Sequence, residues 1–317
     1  MEKRRLGNTD LYVAPIAFGG NVFGWTIDEA TSFEILDGFT EAGFNLIDTA
    51  NSYSRWKPGN KGGESETIIG NWMQERKNRD QHIIATKVGS DMGDGNKGLS
   101  KKHITEAVEA SLKRLKTDYI DLYLSHFDDQ DTPQEETLQT YDELIKAGKL
   151  RWIGASNFSP ERLLSALDYS TNNNLARYEV FQPEYNLYNR ESFEQNYEQI
   201  CTEHHLGVIS YFSLASGFLS GKYRSEADFG KSQRGGGMKN YLNERGFQIL
   251  KALDQVAEQY KVQQATVALA WLIAQPAITA PIASVTNLEQ LAALTQAATL
   301  QLDHEALTLL NEASYWR

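Results

Sequence analysis

Eight short apolar runs alternate along the chain with longer stretches of helical period, and that beat narrows the folds open to it. The runs fall at 14–18, 44–47, 82–86, 119–125, 150–155, 178–181, 207–210 and 278–282. Each is bounded by Gly, Pro, Asn, Asp or Ser, and several are apolar without interruption, as strands buried on both faces are. Between them, 102–116 sets Ile104, Ala107, Val108, Ser111, Leu112 and Leu115 on one helix face behind Ser100 as N-cap. Ser159-Pro160-Glu161 supplies a cap, a first-turn proline and an acid before the run 163–167. Such alternation predicts a parallel sheet with helical crossovers, and about eight strands close a (β/α)8 TIM barrel of the α/β class. An open doubly wound sheet is the alternative. It is weakened because Phe18-Gly19-Gly20-Asn21-Val22-Phe23-Gly24 has the wrong spacing for a dinucleotide fingerprint, and Gly230-Lys231-Ser232 lacks the upstream glycine of a phosphate loop.

Two stretches break the beat. Residues 4–7 and 11–13, around Asn8-Thr9-Asp10, read as an N-terminal hairpin that plugs one barrel end. The segment 211–278 is longer than one crossover. It holds a polar, glycine-rich section at 224–238, expected to be a flexible flap, and helical patterns at 243–259 and 264–274, so extra helices lie between strands seven and eight. No linker or repeat is visible, and 1–317 reads as one domain.

Charge and composition exclude several functions. With 31 basic and 42 acidic side chains the net charge is −11, an unfavourable surface for nucleic acid. The single cysteine, Cys201, rules out an internal disulfide and a cysteine-built zinc site, and no metal is expected. Met1-Glu-Lys-Arg-Arg-Leu-Gly has no apolar leader core, and no run approaches the ~18 apolar residues of a membrane span. A soluble, cytoplasmic protein is expected.

In a parallel barrel the residues just past each strand's C-terminus converge on one face. Strand two ends at Asp48 with Tyr53 in the following turn, strand three at Lys87, and strand four at His126. Singly, each has a bland reading: a turn cap, a packed phenol, a snorkelling lysine, a structural imidazole. On successive strands they form a candidate catalytic set suited to reducing a carbonyl. A phenol is a reluctant acid at neutral pH, and lowering its pKa by two to three units takes ~3–4 kcal/mol. One ammonium ~4 Å away supplies about 4 kcal/mol at an effective dielectric of ~20. Lys87 would thus acidify Tyr53, Asp48 would keep Lys87 charged, and His126 would orient the carbonyl or pass a proton. The hydride must come from a cofactor, because no side chain donates one.

These residues resemble the aldo-keto reductases over nearly the whole chain. The match runs through Arg5-Leu6-Gly7-Asn8-Thr9-Asp10-Leu11, Gly43-Phe44-Asn45-Leu46-Ile47-Asp48-Thr49-Ala50, then Tyr53, Lys87 and His126 in order. It continues with Gly148-Lys149-Leu150-Arg151-Trp152-Ile153-Gly154-Ala155-Ser156-Asn157-Phe158 and Gln182-Pro183-Glu184-Tyr185-Asn186. Gly217-Phe218-Leu219-Ser220-Gly221-Lys222-Tyr223 is similar to the branch containing bacterial general stress reductases and potassium-channel beta subunits.

The resemblance implies NADPH bound without a Rossmann motif, with Asp48, Tyr53, Lys87 and His126 as catalytic tetrad. It implies cofactor contacts from Gly20 and Asn21. It also places Ser156, Asn157 and Gln182 on the carboxamide, Tyr211 against the ring, and Ser213, Leu214, Gly217 and Lys222 along the diphosphate. Arg234 becomes a candidate for the ribose phosphate, and Ser284, Thr286 and Gln290 match the last cofactor-contacting positions. The loop Ala283-Ser284-Val285-Thr286-Asn287 lacks the Arg or Lys common in the family, and Ala293-Leu294 replaces a Glu-Asn pair, which leaves NADH open. Trp25, Trp56 and Phe127 are candidates to line the substrate site.

The leading expectation is an NAD(P)H-dependent reductase of small aldehydes and ketones. A cofactor-binding, redox-sensing subunit with little turnover is the second, and a Schiff-base aldolase using Lys87 the third. The sequon at Asn157, the pair His204-His205 and Cys201 carry no function in this reading.

Overall fold

Period-two alternation along short strands decides which side chains fill the barrel and which pack outside it. The computed structural model describes residues 1–93 and 95–316. An antiparallel hairpin, β1 (Arg4–Arg5) and β2 (Tyr12–Val13), precedes eight parallel strands. These are β3 (Ala17–Gly19), β4 (Leu46–Asp48), β5 (Ile83–Val88), β6 (Ile120–Ser125), β7 (Leu150–Ser156), β8 (Tyr178–Gln182), β9 (Gly207–Val208) and β10 (Ile282–Ala283). Their order is β10-β3-β4-β5-β6-β7-β8-β9. Between β9 and β10 the backbone closes the ring: Thr279 N and Ala280 N donate to Val208 O at 2.9 and 3.2 Å, and Ile282 N to Ser210 O at 2.8 Å. The expected (β/α)8 barrel is what forms.

Helices α1 (Glu29–Glu41), α2 (Glu64–Arg76), α3 (Lys101–Leu115), α4 (Gln134–Lys146), α5 (Pro160–Asn172), α6 (Glu191–Asn196) and α7 (Glu198–Glu203) connect the earlier strands. α8 (Glu244–Tyr260) and α9 (Gln264–Ile273) lie between β9 and β10, followed by α10 (Leu288–Ala297) and α11 (His304–Ser314). On α3 the buried residues are the six read from the periodicity, and Ser100 Oγ accepts from His103 N at 3.3 Å. Ser159 caps α5 with Pro160 in its first turn.

Inside the ring, Ala17, Leu46, Ala85, Leu122, Leu124, Val180, Ile209, Ala280 and Ile282 form one apolar cluster with Leu6, Leu11 and Val13 of the hairpin region. The hairpin is therefore a plug, as expected. Asn45 ties it to the barrel, donating to Tyr12 O at 2.8 Å and accepting from Ala14 N at 2.9 Å. The alternate residues Phe18, Ile47, Ile84, Tyr123, Ile153 and Phe181 face outward into the larger core beneath the helices. Gly154 is glycine because a β-carbon there would sit 2.8 Å from Val180 O across the barrel wall.

Three expectations need correction. The first strand starts at Ala17 rather than 14, because Pro15 has no N–H and Ala14 N is spent on Asn45. The last two strands are shorter than 207–210 and 278–282, because two N–H groups converge on Val208 O and break the regular ladder. The section 224–238 is not structureless: it folds into 3-10 turns at Glu226–Lys231 and Gly235–Tyr241. Asp228 accepts from Arg224 N and Ser225 N, Arg224 pairs with Asp254 at 2.7 Å, and Tyr223 shares a 2.6 Å hydrogen bond with Ser232.

At the plugged end, His82 is 3% exposed, with neither ring nitrogen hydrogen-bonded and its ring 4.8 Å from that of Trp72. Burial, then the nearby Arg79 charge, lowers its pKa from 6.5 to about 4. The unfolded chain therefore takes up this proton first. The contribution to stability is complete above pH 6.5 and is lost as pH falls towards 4, to the extent of about 2–3 kcal/mol at ~1.36 kcal/mol per unit. Urea denaturation of wild type and His82→Phe near neutrality and near pH 4.5 should give a smaller acid loss in the variant by roughly that amount. Parallel acid losses would show that His82 is not the group responsible.

Candidate active site

The same alternation that fills the barrel carries it on to the rim. Two residues beyond the inward Ala17, Leu46, Ala85, Leu124, Val180, Ile209 and Ile282 stand Gly19, Asp48, Lys87, His126, Gln182, Tyr211 and Ser284. Ser156 holds the matching place on β7, with Gly154 between it and Trp152. Of these eight residues, all but Lys87 line a cavity of about 780 Å³ at the C-terminal ends of the strands.

Lys87 lies at its floor, fully buried. Its Nζ donates to Asp48 Oδ2 at 2.7 Å, to Thr49 O at 2.7 Å and to the Tyr53 hydroxyl at 2.9 Å, which places all three N–H bonds of an ammonium. Asp48 Oδ1 accepts from Gln182 Nε2 at 2.9 Å, and Tyr53 OH lies 3.3 Å from Oδ2. Behind them, Ser65 at the start of α2 links Thr49 (2.8 Å) to Gly20 O (2.7 Å), so one helix end fixes the tips of β3 and β4. His126 Nδ1 is 2.8 Å from Ser90 Oγ, and its ring stacks on Phe127 at 4.9 Å.

The electrostatics differ from the simple expectation. Burial, then the Asp48 carboxylate, holds the Tyr53 phenol well above its usual 10. The reason lies in two opposing fields. At 2.9 Å and an effective dielectric of ~20, Lys87 favours the phenolate by about 6 kcal/mol, while Asp48 at 3.3 Å opposes it by about 5 kcal/mol. They nearly cancel, and desolvation decides. The carboxylate that keeps Lys87 charged thus removes most of its acidifying effect on the resting phenol. Burial lowers Lys87, opposed by Asp48, and burial followed by the Lys87 charge holds His126 well below 6.5, a neutral imidazole.

The other expected positions gather at the same rim. Asn157 donates to His126 O at 2.8 Å and accepts from the Tyr211 hydroxyl at 3.0 Å, which fixes the Tyr211 ring. Burial raises Tyr211 to about 12. Ser213, Leu214, Gly217 and Lys222 continue along one wall, where Gly217 at φ 101° keeps the backbone open beside the Lys222 amine. Ser284 Oγ lies 2.7 Å from both Gly19 O and Asn21 Oδ1 and donates its one proton to either, stitching β10 to β3. Thr286 N donates to Gln290 Oε1 at 2.9 Å at the far end. Gly20 and Trp25 are the exceptions: Gly20 is buried under Ser65, Trp25 stands behind Trp56, and neither lines the cavity.

Trp56 and Phe127 line the mouth, and Trp25 packs edge-on against Trp56 at 5.3 Å. Arg234 lies over Trp25 at 5.2 Å. Sequence reasoning missed Ser90, Phe212 and Gln233, which also line the cavity. Ser90 stands three residues past Lys87 on an unremarked Gly-Ser turn, and only the fold brings it to His126. Among the described residues no cluster of His, Cys, Asp or Glu could hold a metal ion, and no helix is long and apolar enough to cross a membrane.

Fold and rim define a (β/α)8 barrel protein with its polar site at the C-terminal strand ends, where barrel enzymes carry theirs. The Aldo/keto reductase family profile matches residues 15–314, and the chain belongs to that family. It is 34% identical over 98% of its length to "Uncharacterized oxidoreductase YrpG" of Bacillus subtilis, covering 95% of that protein. It is 35% identical to "Aldo-keto reductase YhdN" of the same organism, over 82% of this chain and 76% of the relative. A "Probable voltage-gated potassium channel subunit beta" of Arabidopsis thaliana is 31% identical, over 92% of this chain and 89% of the relative. Family and relatives give the protein a general oxidoreductase role.

Proposed function

We propose that the protein reduces aldehydes and ketones to alcohols with a nicotinamide dinucleotide, NADPH in the first instance and NADH as the alternative. The observation that carries this reading is the Lys87–Tyr53 contact of 2.9 Å at the floor of a cavity whose upper wall is the anchored Tyr211 ring. The donor set fits the dinucleotide. Ser156, Asn157 and Gln182 offer amide and hydroxyl partners for a carboxamide, Gly217 and Lys222 an open backbone and a cation for a diphosphate, and Ser284, Thr286 and Gln290 uncharged partners for a ribose.

When bound, the reduced nicotinamide supplies the hydride that the carbonyl carbon takes up. The chain's own residues handle the oxygen. Tyr53, held neutral by burial, is loaded with its proton at every working pH and gives it to an oxygen that becomes a stronger base than a phenolate as the hydride arrives. The phenolate left behind meets the Lys87 ammonium, which then counts in full. His126, neutral and fixed through Nδ1, offers Nε2 to orient the carbonyl. An aldolase would need a free amine at Lys87, whereas here that nitrogen is committed to three acceptors.

The test is loss of reduced-cofactor absorbance with a panel of aldehydes and ketones, together with cofactor affinity from quenching of tryptophan fluorescence. Turnover that requires a carbonyl is the expected result. Tight cofactor binding without turnover would favour the redox-sensing reading, which the channel-subunit name of one relative brings to mind. Because His126 lies well below 6.5, kcat/KM is expected to stay level as pH falls from about 8 to about 6. A fall centred near 6.5 would show that His126 titrates and reject its neutral role.

A further inference from the structure

His126 is held at three points. Its backbone N–H donates to Val88 O at 2.8 Å, its carbonyl accepts from Asn157 Nδ2 at 2.8 Å, and its ring Nδ1 lies 2.8 Å from Ser90 Oγ. The first two fix the main chain, and the third fixes the edge of the ring. By strand parity Ser90 would follow Thr86 and Val88 to the outer face, where Thr86 bonds Glu66 and Val88 joins the core beneath the helices. Gly89 breaks that parity. Its φ of 114° is one that L side chains rarely adopt, and a β-carbon there would meet Leu99 Cδ2 at 3.1 Å. The turn brings Ser90 onto the cavity wall beside His126.

A neutral imidazole carries one N–H, and burial with the Lys87 charge keeps His126 neutral. Its two tautomers therefore differ in which edge of the ring can donate. A carbonyl oxygen brings lone pairs only, so it is bound by an Nε2–H and repelled by a bare Nε2. The Ser90 hydroxyl bears on the choice, because among the described residues Nδ1 is its one hydrogen-bond partner. With Nδ1 bare, Ser90 Oγ–H donates to it, both protons are used, and Nε2–H is left for the substrate. With Nδ1 protonated, the hydroxyl proton loses that acceptor and Nε2 presents a lone pair instead.

We propose that Ser90 is a positioning residue whose hydroxyl donates to Nδ1 of His126 and so keeps the imidazole proton on Nε2, where the carbonyl oxygen is received. The use of that proton rests on the reductase reading above. The tautomer itself is a property of the protein without substrate and is read without turnover.

The experiment uses the full chain with isotopically labelled imidazole nitrogens, and His126→Asn identifies the His126 signals by their loss. Nuclear magnetic resonance of the wild type near neutrality is expected to show Nε2 as a protonated nitrogen and Nδ1 as an unprotonated nitrogen shifted by accepting a hydrogen bond. Ser90→Ala should move both signals towards a mixture of tautomers. It should also lower kcat/KM for benzaldehyde by about five- to tenfold, the worth of one neutral hydrogen bond, with NADPH affinity unchanged. Ser90→Thr keeps the hydroxyl and should return both the signals and most of the rate. A serine that serves only to hold its loop would alter the rate without moving the tautomer. An Nδ1 that is protonated in the wild type overturns the proposal, and so does a Ser90→Ala protein with unaltered His126 signals, whatever its rate. Should Ser90→Ala not fold, the wild-type signals and those of Ser90→Thr decide alone. Should no carbonyl be reduced, the reductase reading fails by itself, and the same signals still settle whether Ser90 donates to His126.

Discussion

Tyr53→Phe is expected to keep the fold and the cofactor affinity while lowering kcat by a hundred- to ten-thousand-fold, the range spanned by positioned general acids. The substitution removes one hydroxyl and leaves Lys87 with two of its three acceptors, Asp48 Oδ2 and Thr49 O, so the buried charge pair survives. The phenyl ring keeps its place against Trp56 and over the Lys87 amine, 4.6 Å from the centroid. Single-turnover reduction measured beside a fluorescence titration of NADPH separates chemistry from binding. A wild-type single-turnover rate with intact binding would remove Tyr53 from the role of acid. The structure adds a distinction that residue types alone do not. If the phenol were strongly acidified at rest, wild-type activity would fall through the neutral range as its proton left. The cancelling fields of Lys87 and Asp48 instead keep it loaded, and the ammonium matters after the proton has moved.

How much of this was legible beforehand follows from which physics is local. The barrel could be read because its strands are buried on both faces and its helices are not, two patterns that survive in one dimension. The tetrad could be read because strand parity is strict: 46 and 48, 85 and 87, 124 and 126 point the same way whatever the loops do. Ladder ends were misplaced where a side chain or a missing N–H takes over a backbone partner, as at Ala14, Pro15 and Val208. The 224–238 section hid its structure because Asp228, Arg224 and Tyr223 build it from contacts a glycine-rich composition does not announce. The resting acidity of Tyr53 was misjudged for a different reason. The role given to Asp48 counted its effect on Lys87 and left out the same charge acting on the phenol at 3.3 Å.

Lys87→Met is expected to cost about 3–5 kcal/mol of stability at neutral pH, the usual consequence of removing one partner of a buried ion pair. Lys87 and Asp48 are 0% and 1% exposed, and Asp48 would keep only Gln182 and Tyr53 as donors. Methionine nearly preserves length and apolar bulk, so the loss reports the stranded carboxylate rather than a cavity. Adding Asp48→Asn removes the stranded charge, and the double variant should recover most of the lost stability while remaining as inactive as Lys87→Met alone. Urea denaturation at neutral pH reads the stability of both variants, and reduced-cofactor turnover reads their activity. Additive losses in the double variant would mean that the pair does not act as one unit. Recovery of activity along with stability would mean that Lys87 serves only to hold Asp48 and not to receive the charge that Tyr53 leaves behind.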